Sequence, residues 1–460
     1  MSGSLQDIFG QQTTLSSPAA LQSWNATMMA FLAHSAETPN HLASVLNTEP
    51  DFALGHAVKG LFYVLLGRRE LYATAIAALE DAKRNTVGNS ACPREQNFIH
   101  ALTSWIDGNP YQSVAAVERV LTGQPRDALA AKLSHALRFV LGDSAGMRTS
   151  LEAIRPHYDQ DHPAYGYLLG CYSFALEETG DFAEAERTGK TGLEIAADDA
   201  WGLHSVAHVY DMTGRSRDGL SWLDGREAAW EHCNNFRYHV WWHKALMHLD
   251  LGQIDVVFDL YDRQIRQDKT DDYRDISNAT SLLTRLELNG FTVGQRWEEL
   301  AELCEKRTED GCLIFADLHY LLALLGGDRK QAVSDLIGNM NQCAVAGGKP
   351  FEQIASHPGL AAANGLEAFG EGNYEIAFLH LANARQSMQT IGGSHAQRDV
   401  FERLTIDAGI RGGYLNEAEM ILSDRTERRN NCNDGYSTVR FDMIRQARLA
   451  GQNQTLFAAE

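Results

Sequence analysis

Two stretches of the chain place histidines where they could act together. LHSVAHVYDMTG carries His204 and His208 four residues apart, and HVWWHKALMHLDLG, which begins thirty-one residues after His208, carries His239 and His243 at the same spacing. On a helix, positions i and i+4 share one face, so each pair has the spacing of two metal ligands or of an acid–base couple. Two such pairs on adjacent helices offer three or four imidazoles, a set that suits zinc or another first-row divalent ion. Without a metal the same residues line a polar pocket. A third alternative is that each histidine is separately hydrogen-bonded in the core. Neither pair has the H-E-x-x-H form of a metalloprotease.

The stretch before the first pair, YGYLLGCYSFALEETG, ends in Glu177 and Glu178. Glu178 is the candidate acid or base, with a pKa raised by partial burial. Its alternative is an ordinary solvated helix end. Further on, FADLHYLLALLGG sets Asp317 and His319 on an apolar helix, where a lone histidine reads as a satisfied core residue. IGGSHAQRDVFERL offers Ser394, His395, Arg398 and Asp399 behind two glycines. Ser394 is suited to capping a helix. A Ser-His-Asp triad here is disfavoured, because no G-x-S-x-G turn surrounds the serine. DDYRDISNATSLLTRLEL adds Asp275 and Arg285.

The elements that must carry these residues follow a recurring frame of amphipathic helix, glycine turn and second helix. The turn glycines are Gly67, Gly108, Gly142, Gly180, Gly214, Gly252, Gly290, Gly327, Gly372 and Gly412, at intervals of 34 to 45 residues. Glycine suits a helix end because it adopts positive φ without steric cost. TGDFAEAERTGKTGLE puts small residues at Ala185 and Gly192, where paired helices must approach closely. A period near 34 with this pattern predicts tetratricopeptide-type helix pairs, each burying its apolar face on its neighbours. The reading is all-α: one right-handed α-solenoid of about ten pairs over residues 18–460, a loose arm over residues 1–17, and a long loop near residues 340–360. Counting back from each turn glycine, offsets 13, 10, 9, 6 and 2 form one stripe of the first helix. In that repeat class the stripe is the inner groove. His204, His208, His239 and His243 all fall on it, with Trp201, Trp242 and Glu178. From Tyr167 to Thr284 the stripe holds no Lys or Arg, so an acidic peptide tail is a poor ligand for it.

The formal charge of −20 over 460 residues, without a basic run, disfavours nucleic acid and anionic membrane surfaces. Seven scattered cysteines without a CxxC pair read as reduced thiols of a cytoplasmic protein. MSGSLQDIFGQQTT lacks the pattern of a secretory signal, and no apolar run is long enough for a membrane helix.

The segments PREQNFIHALTSWIDGN, KLSHALRFVLGDSAGMR, YGYLLGCYSFALEETGDFAEAE, DDAWGLHSVAHVYDM, HVWWHKALMHLDLG, LYDRQI, SLLTRLELNGFTVGQRW and GGSHAQRDVF resemble the tetratricopeptide repeat protein 38 family. The resemblance runs over about residues 20–450 and is most specific over 160–300. It implies a helical-repeat fold and marks His204, His208, His239, Trp242, His243, Tyr261, Asp262, Asp275, Arg285, His319, Gln397, Arg398 and Asp399 as family motif positions. It implies no particular reaction.

Two functions are expected from these readings. In the first, His204, His208, His239, His243 and Glu178 form the centre of a small-molecule pocket. Trp242, Tyr261, Asp275, His319, Arg398 and Asp399 serve as ligand contacts, and a divalent metal such as zinc is an option on the four histidines. If catalytic, that site is suited to hydrolysis or elimination by acid–base chemistry. In the second, the protein is a non-catalytic scaffold for a partner protein.

Overall fold

The structure, a computed structural model, describes residues 5–86 and 92–457. It is an all-α fold of stacked helix pairs, the α-solenoid class. The first helices are α1 (Pro18–Leu32), α2 (Thr38–Thr48), α3 (Ala53–Leu65), α4 (Tyr72–Arg84), α5 (Pro93–Ile106), α6 (Pro110–Gly123), α7 (Ala128–Val140) and α8 (Ser144–Ile154). Next come α9 (Tyr165–Glu178), α10 (Phe182–Ile195), α11 (Ala200–Met212), α12 (Ser216–Leu223), α13 (Phe236–Asp250), α14 (Ile254–Leu260), α15 (Tyr273–Leu288) and α16 (Arg296–Cys304). The chain ends with α17 (Ile314–Gly326), α18 (Lys330–Ala346), α19 (Pro350–Ile354), α20 (Leu360–Gly370), α21 (Tyr374–Arg385), α22 (His395–Arg411), α23 (Leu415–Arg428) and α24 (Gly435–Phe457).

Two compact units result. One comprises Met1–Val209, Leu223–Val240 and Gly348–Phe351; the other comprises Tyr210–Trp222, Trp241–Gly347 and Glu352–Glu460. In the first, α1 packs on α2, α3 on α4, α5 on α6, α7 on α8 and α9 on α10. In the second, α17 packs on α18, α20 on α21 and α22 on α23, and α22 also meets α15.

The turn at Gly180 shows how a pair is made. Gly180 has φ +84°. Its N–H donates to Glu177 O at 2.9 Å, and Asp181 N–H reaches back to Leu176 O at 2.9 Å. This is the double closure that ends a helix in a left-handed residue. Seven other turn glycines of the sequence frame, Gly67, Gly108, Gly142, Gly214, Gly252, Gly290 and Gly372, also have positive φ. Two positions slip by one residue: the left-handed residues are Asp328 and Gly413, not Gly327 and Gly412. Ala185 and Gly192 lie buried in the α9–α10 contact. A Cβ on Gly192 would sit 2.9 Å from the Gly166 carbonyl oxygen, so backbone meets backbone there.

The expected long loop near 340–360 is mostly helical. α18 runs to Ala346 and α19 starts again at Pro350. Proline at a first helical position costs no hydrogen bond, so it begins a helix here where it seemed to mark a loop.

The expected loose arm is tied down from Leu5 onward; residues 1–4 lie outside the described residues. Phe9 and Leu15 are in the first unit's core. Asp7 pairs with Arg94 at 3.1 Å, and Arg94 grips Asp127, the N-cap of α7, at 2.6 Å. All three side chains are at most 1% exposed. Removing one partner from such a triad strands buried charge. Arg94→Ala is expected to lower the stability of the first unit by about 3–5 kcal/mol in urea denaturation, and to expose residues 5–17 to limited proteolysis. A loss under about 1 kcal/mol would mean that the triad contributes no more than a surface pair.

Candidate functional site

The first unit draws α9, α11 and α13 together around imidazoles. Ser173 of α9 hydrogen-bonds Ser205 of α11 at 2.6 Å and the Ala185 carbonyl of α10 at 2.7 Å. With those three helices fixed, His208 Nδ1 lies 3.4 Å from Glu177 Oε2, and neither side chain has any exposure. The His204 and His208 rings meet edge to face with centroids 4.4 Å apart. His204 Nε2 lies 3.2 Å from His239 Nε2. The imidazoles therefore converge, with each of His204, His208 and His239 bringing a ring nitrogen within 4.8 Å of the others. His243 follows His239 by one turn of α13; it is buried, belongs to the second unit and packs its ring on Trp242 at 4.8 Å.

The sequence singled out Glu178, and its neighbour Glu177 is the more deeply buried of the two. Glu177 is the fully buried carboxylate on His208, while Glu178 is half-buried at the helix end, within 4.8 Å of the same cluster. A helical step of one residue turns a side chain by about 100°, enough to exchange the two.

Aromatic walls enclose the cluster. Phe174 stacks on His204 at 5.6 Å, Trp201 lies 5.0 Å from it and Phe236 5.1 Å. Burial first, then His208 and His239, holds His204 well below the ordinary histidine range. A neutral ring with Nδ1–H aimed at the Trp201 carbonyl, 3.4 Å away, accepts at Nε2 from His239. The row Glu177–His208–His204–His239 thus runs from a dry carboxylate to a half-buried imidazole, and a hydrogen bond joins its last two members.

Three further residues join the site that the sequence reading passed over. His34 stacks on Trp201 at 5.4 Å and on Phe236 at 4.7 Å. It is brought there by pairing of the chain after α1 with the approach to α13: Asn234 N–H donates to His34 O at 2.9 Å, and Ala36 N–H to His232 O at 3.1 Å. No local motif announces a contact across 200 residues. Lys132 of α7 lies 5.0 Å from the Trp201 ring centroid and 3.7 Å from Cys171 Sγ. The absence of cations was expected of the stripe from Tyr167 to Thr284, and Lys132 lies on the repeat before it. Lys132 stands ten residues before Gly142, so the same stripe taken one repeat earlier includes it. Asp199, buried at the start of α11, is raised to about 7 by burial, a rise that Lys132 opposes.

The other nominated residues lie in the second unit and are engaged there. Trp242 is buried with the Arg285 guanidinium 5.5 Å from its centroid. Tyr261 is buried beside Arg296 in a π-type turn, Tyr261–Ile265, and burial pushes its phenol up. Asp275 is buried, accepts from Thr270 Oγ1, and is raised to about 7 by burial and then Asp272. Arg398 donates to the Gly392 carbonyl at 3.3 Å and to that of Gly393, holding the double-glycine turn. Ser394 caps α22 in a reciprocal box with Gln397, as its position before the helix predicted. Burial raises Asp399, but Arg425 and Arg403 beside it, each at 2.6 Å, hold it well below the usual carboxylate range. His319 gives its Nδ1–H to the Phe315 carbonyl one turn back at 2.7 Å and packs on Phe315 and Phe401. It is bonded and packed within the second unit's core.

No family model matches the chain. Among solved structures, it is similar to yeast Tom70 at 12% identity, covering 94% of this chain and 88% of that one with a TM-score of 0.38. It is also similar to Naa15/Naa10 bound to HypK-THB at 12% identity, covering 88% of this chain and 68% of that one with a TM-score of 0.24. Likeness at that distance carries nothing about activity. No described helix is long and apolar enough to cross a membrane.

Burial pushes His319 down to about 4. Between that value and about 6.5, the unfolded chain binds the proton and the folded chain refuses it, so stability falls as pH falls. His319→Gln removes this loss. Relative to the parent, the variant is expected to gain on the order of 3 kcal/mol between pH 7 and pH 4, read from urea midpoints at each pH. A pH-independent difference would show that His319 carries no such burden.

Proposed function

We propose that this helical-repeat protein is a non-catalytic scaffold that docks a partner protein on the outer faces of its second helices. The observation that carries this reading is that eight of the twelve exposed large apolar side chains among the described residues fall on second helices, the others being Ile8, Phe291, Val439 and Leu449. Ile76 lies on α4, Tyr111 on α6, Ile195 on α10, Val256 on α14, Val345 on α18 and Met420 on α23, each a second helix. On α21, Ile376 and Leu379 are 52% and 57% exposed and stand three residues apart on one face. The opposite face, Ala377, Phe378, Leu381 and Ala384, is already spent on the core. An apolar pair held in water on a rigid helix is what a partner's helix or extended segment buries. The tetratricopeptide class, the finer resemblance to the protein 38 family and a cytoplasmic location belong to the same reading, and the free buried thiols of Cys171, Cys233 and Cys304 accord with a reducing compartment.

A photo-crosslinking residue in place of Leu379, in intact cells, is expected to give a discrete adduct that Ile376→Asp abolishes. That substitution, on an exposed side chain, should change stability by less than about 0.5 kcal/mol. An adduct indifferent to Ile376→Asp, or none at all, would refute docking at α21.

A second reading is favoured by one distance. Two imidazole nitrogens on a tetrahedral zinc, each about 2.0–2.1 Å from it, stand about 3.3 Å apart, and His204 and His239 stand 3.2 Å apart with His208 beside them. In this reading the cluster holds a divalent ion, with Glu177 orienting His208, and the metal would supply Lewis-acid chemistry for hydrolysis or elimination. Cobalt(II) titration of the purified chain should then give one equivalent of bound ion with a tetrahedral absorption band, lost in His204→Ala and in His239→Ala at unchanged helical content. Absence of the band at saturating cobalt excludes the ion.

A further inference from the structure

The second unit contains a half-open cleft of about 480 Å³, inside the range of about 300–1,000 Å³ usual for small-molecule sites. Its apolar wall includes Leu246, Leu249, Leu288, Phe291, Val439 and Met443. Phe291 and Val439 are the exposed members, at 38% and 49%.

Its polar wall is an arginine–aspartate lattice in which nearly every charge is matched. Arg440 closes on Asp407 at 2.9 Å. Asp434 is held by Arg425 at 2.7 Å, and Asp211 by Arg429 at 3.2 Å. Asp250 accepts from Ser216 Oγ at 2.7 Å and from the Gly435 N–H at 2.8 Å. Arg403 and Arg425 both take Asp399 at 2.6 Å.

Arg285 is the exception. Its side chain is 1% exposed, and its nearest carboxylate is that same Asp399, at 3.9 Å. It donates to the Ser281 and Ala396 carbonyls at 3.0 and 2.7 Å, and its Nε has no acceptor. Burial, and then Arg403 across from it, push its pKa down to about 9. A buried guanidinium without a carboxylate of its own is costly, and the cost is relieved when an anion arrives.

We propose that this cleft binds a monocarboxylic acid with an apolar body, its carboxylate on Arg285 and its hydrocarbon along Leu249, Leu288 and Phe291. The planar fork of a guanidinium matches a carboxylate. Asp211, Asp250, Asp399 and Asp434 also line the cleft, and their charge disfavours a dianion such as phosphate. Nothing in this site depends on a partner protein at α21.

The test is calorimetric titration of the full chain with octanoate and benzoate, beside octanamide and benzamide as neutral counterparts. At least one acid should bind saturably at one site, about tenfold or more tighter than its amide. Arg285→Lys keeps the charge, loses the fork and should weaken that acid about tenfold. Val439→Trp fills the open side from an exposed position and should block binding without touching the arginine, so a poorly folding Arg285→Lys leaves the outcome decided. Equal binding of acid and amide, saturable binding of neither acid, or inorganic phosphate binding more tightly than both acids would overturn the assignment.

Discussion

The arrangement in the first unit depends on how closely α9 and α11 approach. A Cβ on Gly170 would fall 3.0 Å from the Gly202 Cα and 1.9 Å from Asp199 Oδ2, and one on Gly202 would fall 3.1 Å from the Gly170 Cα. No side chain fits at either position, so two backbones touch with the Asp199 carboxylate lodged beside them. Two turns further along each helix, that separation becomes a contact between Glu177 and His208. Larger residues at the crossing would move the carboxylate out of reach of the imidazole. The glycines thus set the distance, and Ser173 bonded to Ser205 sets the register.

The parts of this legible in the sequence are those with a period. Helix ends recur with a glycine because a left-handed residue is needed at each, and counting from them puts His204, His208, His239 and His243 on one stripe. That count is good to about one residue, which suffices to put imidazoles four apart on one face. Gly327 and Gly412 show the same tolerance, each displaced by one from the left-handed position. What has no period was invisible. His34 arrives through backbone pairing with residues near 233, and Asp399 meets Arg425 through the packing of α22 and α23. Lys132 was within reach of the stripe and lay outside only because the count began one repeat too late.

Both units bury ion pairs and histidines, but the largest polar cluster of each is of a different kind. In the first, the groups are imidazoles that shed their charge, as the downward displacement of His204 and His135 by burial shows. A neutral imidazole retains one donor and one acceptor, so rings can bond to one another in a row. In the second, the groups are guanidiniums, which in these surroundings stay charged and require carboxylates. Asp399, Asp407 and Asp434 supply them, with Tyr436 packed among Arg403, Arg425 and Arg440 at 4.4, 5.2 and 4.4 Å. A charge lattice of this kind tolerates little error, because removing one member strands another. This makes an arginine with only a shared, distant carboxylate stand out.

Residue type and burial alone do not separate a histidine bonded within its own helix from one that links helices. His319 and His204 are both buried, both ringed by aromatics and both displaced downward. The difference lies in where the hydrogen bond goes. His319 spends its donor on the carbonyl four residues back in its own helix, a bond that any isolated helix could make and that asks nothing of a neighbour. His204 reaches instead to an imidazole on α13, and its neighbour His208 reaches to a carboxylate on α9. Those contacts exist only because three helices were brought to fixed separations. Packing alone does not require them, since apolar side chains of similar size would fill the same space at lower electrostatic cost.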